Sequence, residues 1–74
     1  MNIKDFKDHI YNLSTRHRVL AEVSKRGDGA RVDFYEDSVS FSELVALTTA
    51  GFKVEMIESV MNEVRVVLSV VFTV

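Results

Sequence analysis

Two histidines, His9 and His17, and eleven carboxylates are the side chains of this 74-residue chain able to move a proton or hold a cation. Along the sequence, neither chemistry is organised. His9 follows Asp8 directly, and adjacent residues of a helix do not face each other. The spacing from His9 to His17 matches no common zinc motif, and there is no cysteine to complete a thiolate site. No nucleophile elbow, Walker loop or dinucleotide fingerprint is present. Asp33, Glu36 and Asp37 fall around a strand end and turn, where solvated acids are normal. The expectation is a non-enzyme with no catalytic residue, no cofactor and no metal site, whose histidines are structural or at the surface.

Recognition by charge is the next chemistry to test. The net charge of −2 divides unevenly along the chain. Residues 1–31 hold seven bases against four acids, and residues 32–74 hold two bases against seven acids. A dipolar surface of this kind can orient a charged partner. Arg16 and Arg18 stand before a predicted strand, and Lys25, Arg26 and Arg31 flank its turn, so together they outline a basic strip for nucleic-acid phosphates. Tyr35 and Tyr11 are the polar aromatics that would stack on bases. A helix-turn-helix step around Leu47–Phe52 would put Glu55, Glu58 and Glu63 on the recognition helix, where they repel DNA. The acids of the second half are too dilute to imitate a phosphate array. Arg26-Gly27-Asp28 and the Asn12-Leu13-Ser14 glycosylation pattern read as local turn and helix chemistry.

The elements that must position these residues follow from periodicity. Ile3, Phe6, Ile10 and Leu13 form a helical stripe over residues 3–13, with Asn2 as N-cap. Val19, Ala21 and Val23 alternate with polar neighbours, as do Val32 and Phe34. They predict a hairpin of strands 18–24 and 31–36, with Gly27 and Gly29 supplying positive φ in the turn. Ser40-Phe41-Ser42-Glu43 fits a capping box with Val39 and Leu44 as hydrophobic staple. A helix over 41–50 follows, presenting Leu44, Leu47 and Val45 to the core and ending at Gly51 with Phe52 packed back on Leu47. Residues 52–63 fit two templates. Phe52, Val54 and Met56 alternate as in a strand, whereas Val54, Ile57, Met61 and Val64 fit a helical stripe. The strand reading is preferred because a hairpin through Met61-Asn62-Glu63 would cover an edge of the apolar segment Val64–Val74. In that segment Val64, Val66, Leu68, Val70, Phe72 and Val74 recur at period two, and Val67 and Val71 make the opposite face half apolar.

The predicted fold is a single α+β domain of order α-β-β-α-β-β, with a mostly antiparallel sheet and helices on one face. The alternative makes 53–64 helical and leaves three strands. Chains this short are marginal without a staple, and an apolar outer sheet face asks for cover, so a homodimer is expected. The C-terminal apolar run is shorter than the roughly 20 residues of a membrane helix, and no secretory signal peptide is read at the start. A cytoplasmic protein with no membrane association is the default.

Residues 34–44, Phe34-Tyr35-Glu36-Asp37-Ser38-Val39-Ser40-Phe41-Ser42-Glu43-Leu44, followed by Ala50-Gly51-Phe52-Lys53-Val54, form a strand–capped helix–Gly–strand unit. This unit is similar to that of small phage-encoded proteins that bind and inhibit host enzymes such as RNA polymerase. The resemblance implies a phage or mobile-element accessory protein that acts by protein–protein contact and occlusion. The contacts expected on exposure and charge are the hairpin tip (Lys25, Arg26, Asp28) and the acidic turn (Glu36, Asp37), with Tyr35 and Tyr11 as anchors. The nucleic-acid strip of Arg16, Arg18, Lys25, Arg26 and Arg31 is the alternative.

Overall fold

The computed structural model describes residues 1–73. Val74, the end of the predicted C-terminal alternation, lies outside the described residues. The element order is α1 (Ile3–Ser14), β1 (Arg18–Val23), β2 (Gly29–Glu36), α2 (Phe41–Ala50), β3 (Lys53–Val60) and β4 (Glu63–Val71). The four strands form one antiparallel sheet in the order β1-β2-β4-β3. Residues 53–60 are therefore a strand, and the helical alternative does not hold. Among the described residues, no helix is long and apolar enough to cross a membrane.

Both helices start and stop where local chemistry allows. The Asn2 side chain accepts from the Asp5 backbone N–H at 2.8 Å, capping α1. Gly51 takes φ +120° after α2, and the Phe52 N–H donates to the Leu47 carbonyl at 3.0 Å. Leu47 and Phe52 are both buried, which completes the Schellman ending with its apolar contact.

The core lies between the helices and one face of the central strand pair. Val32 and Phe34 of β2 and Val66 and Leu68 of β4 are fully buried. Phe6 and Leu13 of α1 cover them, and the Phe6 ring packs edge-on against Phe72 at 5.1 Å. Leu44 is half-buried against this core, but Val45 is 44% exposed, on the opposite side of α2 from the residues that face α1. Ile3, the first position of the predicted stripe, is also exposed.

A β-bulge changes the reading of β3. Val54 pairs with Leu68, but Met56 pairs with Val67, so Glu55 is the extra residue. The simple alternation would have put Met56 beside Val54 on the core face. The bulge instead sends Met56 to the outer face and returns Ile57 to the helix side, opposite Val66. Glu55 then accepts from the Ser69 hydroxyl at 2.6 Å across the outer face.

That outer face carries its own cover. Arg65 donates through Nε and Nη2 to Asp33 and through Nη1 to Glu58, and Arg31 donates to Asp33. Asp33 is buried, not the solvated acid expected from its place in the sequence. The register explains it: Asp33 faces Val67, with Arg65 and Arg31 two residues away on neighbouring and own strand. Hydrogen bonds to Asp33 and Glu58 hold the Arg65 guanidinium charged well above its ordinary range. Val67 is only 3% exposed beneath these side chains, so a second copy is not needed to bury it.

The two glycines of the β1–β2 turn do different work. Gly27 has the positive φ expected of it, whereas Gly29 permits close approach: a Cβ there would sit 2.5 Å from the Val70 carbonyl oxygen. Gly29→Ala is expected to destabilise the domain by about 2 kcal/mol, because backbone rather than a flexible side chain must give way. Urea unfolding with an unchanged m-value measures this.

Candidate functional site

The chain brings one histidine and two carboxylates together from three elements. The backbone N–H of His17 bonds to the Leu13 carbonyl at 2.8 Å, which fixes the link between α1 and β1. Arg18 pairs with Tyr35 in the hairpin register, so His17 stands level with Glu36, the last residue of β2. Glu43 lies in the first turn of α2. His17 Nε2 is 3.2 Å from Glu43 Oε2 and 3.5 Å from Glu36 Oε2. One donor atom from each of the three residues fits within a 4.8 Å cluster.

The cluster is well shielded. The side chains of His17, Glu36 and Glu43 are 14%, 8% and 13% exposed, and the imidazole packs on the buried Phe34 ring at 5.3 Å. Arg16 Nη1 donates to Glu43 Oε2 at 2.8 Å from the solvent side. The second oxygens of the two carboxylates, Glu36 Oε1 and Glu43 Oε1, are buried and have no hydrogen-bond partner among the described residues. A cavity of about 510 Å³ adjoins the cluster, with Asn12, Ser40 and Ser42 among its polar lining.

The two carboxylates respond oppositely to this environment. Burial, then the hydrogen bond and charge of Glu43, push the Glu36 carboxyl above the ordinary glutamate range. Burial also acts to raise Glu43, but its hydrogen bonds to His17 and Glu36 and the charges of His17 and Arg16 outweigh it and hold Glu43 low.

The capping box is half made. The Glu43 backbone N–H reaches Ser40 Oγ at 3.4 Å, but the Glu43 carboxylate turns to Arg16 and His17. The capping-box pattern accounts for Glu43 as part of the cap and the strand end for Glu36 as a turn acid, and neither pattern sets the residue beside His17.

The residues expected to contact partners fall at opposite ends of the sheet. Lys25, Arg26 and Asp28 are exposed at the β1–β2 tip, where the Asp28 carboxylate accepts from Ser24 Oγ at 2.6 Å. Tyr35 is half-buried under the Arg18 guanidinium, 4.4 Å from its ring centre. Asp37 is exposed, but Glu36 points inward and is not an accessible contact. Tyr11 is 71% exposed on α1. The basic strip is largely neutralised: Arg16 is paired with Glu43, Arg18 with Glu63 and Arg31 with Asp33. Only Lys25 and Arg26 of its five members lack an ion pair among the described residues.

Glu36 binds its proton more tightly folded than unfolded, so its contribution to stability is present at low pH and is lost as pH rises through its folded-state value. Glu36→Gln keeps the shape and removes the ionisation. In chelator, the variant is expected to melt at or above the wild-type temperature at neutral pH, the difference vanishing below the ordinary glutamate range; thermal unfolding across pH measures it. Comparisons with family models, with curated proteins and with solved structures return no match, so the reading of this site rests on its own geometry.

Proposed function

We propose that this chain is a small non-enzymatic protein-interaction module that binds a host enzyme and inhibits or regulates it by occlusion, as a phage or mobile-element accessory protein would. The observation that carries the reading is Met61. It occupies the first position of the two-residue β3–β4 turn with φ +58°, a conformation that glycine adopts freely and a side chain adopts at a cost of roughly 1–2 kcal/mol. At 96% exposure, it recovers nothing by packing within the chain. A flexible apolar side chain held in this way is suited to contact with another molecule.

Its surroundings extend the same surface. The β2–β4 and β3–β4 registers bring the β3–β4 turn, the end of β2 and therefore the start of α2 to one end of the sheet. Phe41 is 81% exposed there and Val45 follows one turn along α2 on the same side, toward β3. Ile57, on the helix side of the edge strand β3, is also exposed. Large apolar anchors with a polar rim, here Tyr35 and Asp37, are the usual source of affinity in protein interfaces. The free edge of β3 also offers a route to the expected homodimer, which would then compete with the foreign partner for this corner.

Met61→Gly separates stability from binding. It is expected to stabilise the domain by about 1 kcal/mol, a rise of about 4–8 °C in melting temperature, while weakening partner binding. Affinity capture after nuclease treatment, followed by binding measurements on the purified partner, tests the rest. Phe41→Asp and Met61→Asp are expected to weaken binding at least about tenfold, and charge reversal at Lys25 and Arg26 to change it little. Equal binding by the aspartate variants, or retention of nucleic acid alone, would contradict the reading.

A further inference from the structure

We infer that His17, Glu36 and Glu43 form a binding site for one divalent transition-metal ion of the zinc class. The inference is independent of the interaction surface proposed above. One imidazole and two carboxylates from three elements are donor types that zinc accepts, and imidazole disfavours the hard cations calcium and magnesium.

Spacing agrees with donor type. Ligand atoms about 2.0–2.1 Å from a tetrahedral ion lie about 3.3 Å from one another. The imidazole nitrogen here lies 3.2 and 3.5 Å from the two carboxylate oxygens. The three ligands are held by separate backbone features: the end of α1, the end of β2 and the capped start of α2. Closing them on an ion requires side-chain adjustment rather than refolding.

An internal salt bridge accounts for only part of the geometry. It engages Glu43 Oε2 and brings the imidazole to 3.5 Å from Glu36 Oε2, but it leaves Glu36 Oε1 and Glu43 Oε1 buried without a partner among the described residues. Glu36 is the stronger case, since its side chain is more than nine-tenths buried and still carries an unpaired acceptor. Burying an acceptor without a hydrogen bond is unfavourable. A dication would engage these oxygens and balance the two carboxylates. Arg16, bonded to Glu43 Oε2, would orient that ligand from the outside. The adjoining cavity leaves room for a water as fourth ligand.

The test uses untagged protein stripped with chelator and titrated with zinc alone. Calorimetry is expected to show one zinc per chain, with a melting temperature that rises as zinc is added. His17→Gln and Glu36→Gln, checked for folding by circular dichroism, are expected to weaken zinc binding at least about tenfold. X-ray absorption of the zinc-loaded wild type is expected to show a single imidazole with oxygen ligands, and this measurement does not depend on a variant folding. Absence of saturable zinc binding, binding unchanged by both substitutions, or two imidazoles on the ion would overturn the assignment; the last would place the ion on His9 and His17.

Discussion

The pairing of β2 with β4 is the constraint on which the rest of this molecule depends. It joins residues from the middle of the chain to residues near its end in eight consecutive pairs, from Gly29↔Val71 to Glu36↔Val64. On one face it assembles Val32, Phe34, Val66 and Leu68, the floor on which both helices sit. On the other it sets Asp33 within reach of Arg65. At one end it fixes Glu36, from which the chain turns into α2 and carries Glu43 back toward His17. Such long-range pairing must be bought with loop-closure entropy before its contacts form.

The outer sheet face shows how a small domain manages with helices on one side only. An apolar C-terminal strand suggested that a second chain would be needed as cover. The protein instead spreads arginine stems and ion pairs over Val67, while Leu20, Met56 and Val71 stay exposed around them on the same face. A second group of exposed apolar side chains, Phe41, Val45, Ile57 and Met61, lies at the α2–β3 corner. That corner and the His17–Glu36–Glu43 cluster lie toward the same end of the sheet, on different sides of α2.

Most of the fold was legible in the sequence because its signals are local. Asn2 and Ser40 as caps, Gly51 as helix stop and period two in Val64–Val70 each follow from neighbouring residues, and all of them hold. The bulge at Glu55 was not legible, since alternation alone cannot show a missed beat. The cluster was missed for a different reason. Glu43 was assigned to its cap and Glu36 to solvent, each a reasonable use of the residue alone. The usable signal was the register: a hairpin pairing residue 18 with residue 35 places 17 beside 36. The approach of Glu43 depends on how α2 returns over the sheet, which no local pattern encodes.

His17, Glu36 and Glu43 make this end of the molecule a built cation site where the sequence showed only scattered acids. Backbone amide NMR during titration with zinc tests it most directly. Shifts are expected to saturate at one equivalent and to centre on Arg16, His17, Glu36, Asp37 and Glu43, with the β1–β2 tip unmoved. Shifts centred on His9 and the start of α1, or none at all, would contradict it.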